Sequence, residues 1–518
     1  MKFVVIALIG MFASVAVATP PPAPTITAAA TDIKQLQFDI TSVPRIGWYE
    51  LWFRALPGAA WSKFAETPSY HPNFRINTQV HLLDWRQARF FVKACNPSGC
   101  SSSNEVGVDG EQLDAMGYFK PPRSGPYQYF GFHFAVSQDG KTMAVVAAET
   151  FGGFHGTAAI HVYRKTTSTS GWRHEARIVP STSTTGSGTS TDGDSISLSW
   201  DGNVIAFGSW MESGNTGAVY VFRHKYDGWH ESQKITGDQT ENDSFGINVK
   251  VKELGAGMQL VVGHGRAGGG IHPEGTLEVY YDSSGGAEQF VYNSTVETPE
   301  VVRPAGYCRD FDISGVGHIV RSCYSGIGQF GYYTQLLTQT SSGPIQYSET
   351  SRLAGGTGSD VAIDYLGENI VVHFYDPASG NSAQIWHHFS SGWASGGEVF
   401  PFPAQQSSVA ISGNGNIVAI GSTDDTLAGR GPLFAPYVDG DPSGSVAVYE
   451  RKPSGWRLRR FIKAGANNVL HSFGWGVALD NTGRVLAVGS PYDASKATGI
   501  DGDREDASVP DRGAVWLY

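Results

Sequence analysis

One segment of this chain recurs. Phe134-Ala-Val-Ser-Gln-Asp-Gly-Lys-Thr-Met-Ala-Val-Val146 aligns with Ile196-Ser-Leu-Ser-Trp-Asp-Gly-Asn-Val-Ile-Ala-Phe-Gly208. Both align with Val409-Ala-Ile-Ser-Gly-Asn-Gly-Asn-Ile-Val-Ala-Ile-Gly421 and Val477-Ala-Leu-Asp-Asn-Thr-Gly-Arg-Val-Leu-Ala-Val-Gly489. Each copy reads as a short strand, a glycine turn and a second strand, which is a β-hairpin. Weaker copies centre on Gly257, Gly317 and Gly367, so seven turn glycines stand 48 to 68 residues apart. A fixed period of this length constrains a fold more than any other sequence feature, because one unit cannot bury its apolar face alone.

A second hairpin follows the first. Its opening strand reads Gly217-Ala-Val-Tyr-Val-Phe222, Gly275-Thr-Leu-Glu-Val-Tyr280, Gly444-Ser-Val-Ala-Val-Tyr449 and Gly513-Ala-Val-Trp-Leu-Tyr518. Turns ending in Gly-Trp follow in several copies, at 171–172, 228–229, 392–393 and 455–456. Four antiparallel strands per repeat make a propeller blade, and seven repeats predict seven blades over residues 110–518. Composition agrees. Charged residues are 16% of the 518, glycines number 65 and aromatics reach 12%, a balance suited to short strands and tight turns. Tyr518 falls on the third strand of the seventh repeat, and residues 118–121 resemble Phe461–Ala464, a fourth strand. The expectation is that 117–120 closes the last blade and leaves no open edge, and that removing residues 20–109 leaves the blades intact.

The repeats resemble FG-GAP repeats of integrin α-type propellers and their secreted bacterial relatives. The motif stands at Tyr129-Phe130-Gly131, Ser244-Phe245-Gly246 and Ser472-Phe473-Gly474, followed by the Asp-Gly turn and the Gly-Ala-Val-Tyr strand. The resemblance covers roughly 400 residues and is clear in repeats 1, 2, 6 and 7. It implies a binding or adhesion role. The calcium loops of integrin propellers lie between the first two strands of a blade. Gln138-Asp139-Gly140 and Trp200-Asp201-Gly202 are too short to wrap six or more oxygens around an ion, so that type of site does not carry over.

Residues 1–18 read as a signal peptide: Lys2, an apolar run from Phe3 to Val17, then Ala16-Val17-Ala18 as a small-x-small cleavage site. The expected location is outside the cytoplasm, secreted or at a cell surface. Residues 19–109 hold short alternating apolar segments, including Leu36-x-Phe38-x-Ile40, Trp48–Phe53 and Phe90–Ala94, which predict a β-sandwich. Val92-Lys93-Ala94, Asn96, Gly99 and Ser103-Asn104-Glu105 resemble the last two strands of a fibronectin type III domain. Ile40 and Ala88 stand where that family has its core tryptophan and corner tyrosine. The predicted fold is thus all-β, a fibronectin-III-like sandwich followed by a seven-bladed propeller.

Export permits disulfides. Cys95 and Cys100 bracket the turn Asn96-Pro97-Ser98-Gly99, and Cys308 and Cys323 lie symmetrically about the Ser314–Gly317 turn of one hairpin. Both pairs are expected to be bonded.

Catalytic motifs are few. There is no nucleophile elbow in a strand-to-helix setting, no HExxH and no Walker loop. A formal charge of −11 argues against nucleic acid. Two long acidic loops join second and third strands, in repeat 6 from Thr423 to Asp441 and in repeat 7 from Asp493 to Asp511. Asp493, Asp501, Asp503 and Asp506 are either a solvated surface or a calcium site. Long ordered loops on a rigid scaffold carry function, so the working face is expected where second-to-third-strand loops lie, with Phe434, Tyr437 and Tyr492 as aromatic contacts. The ligand class is an extracellular glycan or protein. The alternative is a polysaccharide-active enzyme, a lyase or glycoside hydrolase, which would gather ionisable groups in one pocket of that face.

Overall fold

The computed structural model describes residues 19–78, 81, 87–108, 115–123, 125–148, 158–167, 171–181, 195–237, 243–255, 257–265, 275–282, 289–297, 307–324, 332–340, 347–354, 360–376, 380–389, 392–401, 408–423, 444–464 and 472–518. The leader-like stretch 1–18 lies outside them, as do Phe434 and Tyr437. The chain divides into two compact units. No helix among the described residues is long and apolar enough to cross a membrane.

The first unit holds two antiparallel sheets. One pairs Ile26–Asp32 with Gln35–Ile40 and then Asn73–Asn77. The other runs Ser62–Pro68, Trp48–Arg54, Arg89–Asn96, Gly99–Ser102. Alternation sends Tyr49, Leu51, Phe90, Val92 and Ala94 to one buried face. Phe38 of the first sheet meets Phe90 of the second with ring centroids 4.7 Å apart. Cys95 and Cys100 are directly opposite in the ladder and bonded.

The second unit comprises 32–34, 77–83 and 112–518, and its described residues form seven four-stranded antiparallel sheets. Sheet 1 is Phe134–Val136, Thr142–Ala148, Ala158–Arg164 and Arg173–Ile178. Sheet 2 is Ile196–Leu198, Val204–Ser209, Ala218–Lys225 and Gly228–Ile235. Sheet 3 is Phe245–Leu254, Gly257–His264, Leu277–Asp282 and Val291–Val296. Sheet 4 is Tyr307–Ile313, Ile319–Tyr324, Tyr332–Gln339 and Tyr347–Ala354. Sheet 5 is Val361–Ile363, Asn369–Asp376, Gly380–Phe389 and Gly392–Pro401. Sheet 6 is Val409–Ile411, Ile417–Ser422, Ser445–Lys452 and Gly455–Ile462. Sheet 7 is Val477–Leu479, Leu486–Ser490 and Ala514–Leu517, with Gly117–Phe119 as its fourth strand.

The first strand of each sheet packs against the first strand of the next, and that of sheet 7 returns to sheet 1. Sheet faces bury against each other, as where Ile160 and Val162 of sheet 1 join Ile205, Phe207 and Tyr220 of sheet 2. This explains why second strands such as Val204–Ser209 are buried at every residue: a strand covered on both faces has no polar side.

The two halves of the repeat motif meet in space. Phe130 bridges Gly513, Phe245 bridges Gly217 and Phe473 bridges Gly444, each in parallel sense between neighbouring sheets. Gly513 has φ +80° and a methyl there would overlap the Phe130 carbonyl oxygen, so only glycine fits. In sheet 4 the phenylalanine place is taken by Cys308, which packs on Gly275 in the same way. Cys308 pairs with Cys323 across the hairpin and is bonded to it. A sequence separation of 15 corresponds to about 3 kcal/mol of stabilisation in the chain-entropy model. The Cys308→Ala, Cys323→Ala double variant should lose about that much in urea melts.

Closure of sheet 7 is set by register: Val515, Trp516 and Leu517 oppose Phe119, Tyr118 and Gly117. Ile33 is buried with Phe119, Tyr163 and Trp172 in the core shared by sheets 7 and 1. Lys34 Nζ donates to the Tyr518 main-chain oxygen at 2.6 Å, and burial lowers its pKa to about 7. His81 Nε2 lies 2.8 Å from the Gly483 carbonyl. Ile33, Lys34 and His81 thus belong to the second unit although they precede residue 110 in the chain.

Candidate functional site

The first strands enclose a channel with a cavity of about 440 Å3, within the usual range of small-molecule pockets. A first strand has one neighbour in its own sheet, so its other edge carries N–H groups that need acceptors. Side chains from the preceding sheet supply them. Ser195 Oγ accepts from Val249 N at 2.6 Å, and Ser197 Oγ from Val251 N at 3.0 Å. Asp310 accepts from Val361 N at 3.3 Å, Asp312 from Ile363 N at 3.0 Å and Asp360 from Val409 N at 2.6 Å.

One end of the channel is blocked. The rings of Trp200 and Tyr365 stand 4.7 Å apart, although they sit on the first turns of sheets 2 and 5, across the ring from each other. The turns around them are tied by main-chain bonds, Asp139 N to Trp200 O at 3.0 Å and Tyr365 N to Gly413 O at 3.0 Å. The other end, where first strands begin, is flanked by aromatics, of which Phe132, Trp475 and Tyr492 are half-buried and Tyr129 is buried. Phe132 and Trp475 lie 4.5 Å apart, Trp475 and Tyr492 6.1 Å, and Tyr492 and Tyr129 6.0 Å. Tyr492 sits in the second-to-third-strand loop of sheet 7, so that loop shares the open end.

The charged lining comes from sheets 3, 4 and 5 alone: Lys250, Lys252, Asp310, Asp312 and Asp360. Ala135, Ala410, Gly476 and Ala478 occupy corresponding places on sheets 1, 6 and 7. Burial, reinforced by neighbouring Asp310, raises the Asp360 pKa well above the carboxylate range. Burial would lower Lys250, but the carboxylates of Asp312, Asp310 and Asp360 outweigh it and the pKa is raised; its Nζ lies 3.8 Å from Asp312. None of these five residues stood out in the sequence. Aligning the seven first strands would have shown small residues in four copies and charges in three.

The four aspartates of the sheet 7 loop have separate partners. Asp493 is buried and accepts from Lys120 Nζ at 2.7 Å, Tyr118 Oη at 2.7 Å and Ser495 N at 3.0 Å. Asp501 accepts from Tyr118 N at 2.8 Å. Asp503 caps Glu505 N at 3.0 Å, and Asp506 pairs with Lys496 at 2.6 Å. Among the described residues no three His, Cys, Asp or Glu side chains form a metal-holding group. Asp493 and Asp501 thus tie the loop to the closing strand, while Asp503 and Asp506 bond within the loop.

A buried triad in sheet 3 has a structural task. His264 Nδ1 lies 2.7 Å from Asp243 and Nε2 3.3 Å from Glu278. Burial opposes its charge, but both carboxylates override it and the pKa is raised to about 9. A raised histidine pKa gives stability that is fully present below about pH 6.5 and is lost as pH rises through about 9. In urea melts His264→Gln should therefore fall furthest below the parent at pH 6, and the gap should narrow by pH 10.

No protein-family model and no curated protein matches the chain. Solved structures do. The β-propeller domain of the Trilobed protease from Pyrococcus furiosus is 11% identical, covering 70% of this chain and 91% of that one, with a TM-score of 0.38. The Dos1 propeller is 10% identical, covering 79% and 96%, at 0.41. Sqt1 from Saccharomyces cerevisiae is 9% identical, covering 77% and 97%, at 0.41. The chain is all-β, and its structural neighbours include propellers.

Proposed function

We propose that this is an exported recognition protein, a fibronectin-III-like sandwich followed by a seven-bladed FG-GAP-like propeller, which binds an extracellular glycan or protein at the open end of its channel. The observation that carries the reading is the asymmetry of that channel: Trp200 and Tyr365 block one end, while Phe132, Trp475 and Tyr492 flank the other. Half-buried rings beside hydrogen-bonding groups suit both sugar faces and protein side chains. The Phe-Gly to Gly-Ala interlock supports the FG-GAP reading. A three-strand sheet opposite a four-strand sheet supports the fibronectin-like one. Two disulfides suit an oxidising compartment. The test is a glycan and protein array probed with the chain from residue 19 onward and with its Trp475→Ala variant. Signals on the parent array that disappear with the variant support the reading; signals that all persist refute it.

A second reading, a polysaccharide-active enzyme, is favoured by the ionisable groups in the channel. Against it, the Asp310 and Asp360 carboxyls are both engaged by main-chain N–H groups of the neighbouring first strands. Release of reducing ends or unsaturated products from polysaccharide, lost in Asp360→Asn, would replace the binding reading with this one.

A further inference from the structure

Six of the seven sheets place a short oxygen-bearing side chain just before the turn joining their first two strands. Ser137 Oγ accepts from Thr142 N at 3.0 Å, Ser199 Oγ from Val204 N at 2.9 Å and Ser314 Oγ from His318 N at 3.0 Å. Asp364 accepts from Asn369 N at 3.1 Å, Ser412 Oγ from Ile417 N at 2.9 Å and Asp480 from Val485 N at 2.9 Å. The same place in sheet 3 holds Lys252. The sheet 3 hairpin needs no such cap, because its ladder runs on to the Leu254–Gly257 pair. Lys252 is thus released from the turn and lines the channel. Among the described residues its ammonium has neither an ion pair nor a hydrogen bond. The carboxylate that acts on it most strongly, Asp312, is already engaged by Lys250 Nζ and Ile363 N. Burial lowers the Lys252 pKa, as expected of a cation with no partner in a narrow space.

Resting on the reading of the channel as a binding site, we propose that Lys252 makes it selective for an acidic sugar, whose carboxylate is held by Lys252 at the blocked end. Three features fix the class. A desolvated ammonium facing a cavity seeks an anion. Between Lys252 and the mouth lie Asn248, Ser195, Asp310 and Asp360, with Asn248 donating to Asp310 and the oxygens of Ser195, Asp310 and Asp360 accepting main-chain N–H groups while keeping lone pairs for ring hydroxyls. At the mouth Phe132 and Trp475 offer aromatic surface to the apolar face of a pyranose. The alanines and glycine of the opposite wall leave the room such a ring needs.

The test is titration calorimetry of the chain with glucuronate, galacturonate, glucose and glucosamine, repeated on Lys252→Ser and Lys252→Met. Serine is the residue four other sheets carry at this place, so the fold should tolerate it, and a thermal melt checks this. The expected result is that uronates bind at least tenfold more tightly than glucose and that both variants lose that advantage. Equal binding of uronate and glucose, tighter binding of glucosamine, or uronate binding indifferent to Lys252 would overturn the proposal and leave the channel site standing. Failure of all four sugars to bind at millimolar concentration also overturns it. The broader reading is decided separately by array signals that depend on Trp475.

Discussion

A chain beginning at Arg123 should fail to unfold cooperatively and should aggregate, whereas one beginning at residue 19 should melt in a single step for the ring. The truncated chain lacks Gly117–Phe119, so the third strand of sheet 7 becomes an edge of unpaired main-chain groups. It also loses Phe119 and Ile33 from a core shared with Tyr163 and Trp172. The partners of Asp493 and Asp501 go with it, which releases the loop from Tyr492 to Arg512. Deleting only 20–109 should have a smaller but clear effect, lowering the melting temperature by removing Ile33, Lys34 and His81 while keeping the closing strand. Light scattering and calorimetry on the three chains check the order. An equally stable ring beginning at Arg123 would mean that sheet 7 needs no fourth strand.

The largest single-residue effect should come from Lys120. Its ammonium and the Asp493 carboxylate are 0% and 2% exposed and 2.7 Å apart. Such a pair need not stabilise the fold relative to apolar residues, because desolvation offsets attraction. Removing one partner is different, since it leaves a buried charge with its bonds unmade. Lys120→Met should therefore cost about 3–5 kcal/mol in denaturant melts. Lys120→Met combined with Asp493→Leu should recover a good part of that loss, although Tyr118 Oη and Ser495 N then lose their acceptor. If the double variant is no better than the single one, the cost lies in packing and not in the stranded charge.

Repeats 1, 2, 6 and 7 were legible because their first strands keep the residues that the hairpin and the crowded channel require: Ser or Asp at the turn, and Ala, Ser or Gly facing inward. Repeats 3 to 5 were blurred by the substitutions that make the channel distinctive. Cys308 replaces the motif phenylalanine, Lys252 replaces the turn serine, and Lys250, Asp310, Asp312 and Asp360 replace small residues. In a linear reading, isolated lysines and aspartates in weak repeats look like solvated surface. Their common direction becomes visible only once seven strands are set around one axis. The partners of the acidic loop were out of reach of a linear reading, since one is Lys120, nearly four hundred residues earlier in the chain, and another is Lys496 within the loop itself. Tyr492 was singled out from loop length and topology, whereas Phe132 and Trp475 read only as neighbours of the Phe-Gly motif.

The central claim is that ligand enters from the end where first strands begin. Hydrogen–deuterium exchange on the chain with an array-identified ligand tests it directly. The account predicts protection at 130–136, 472–477 and 489–493, with the turns at 138–141, 200–203 and 413–416 unchanged. Protection confined to those turns, with none around Trp475 and Tyr492, would contradict it.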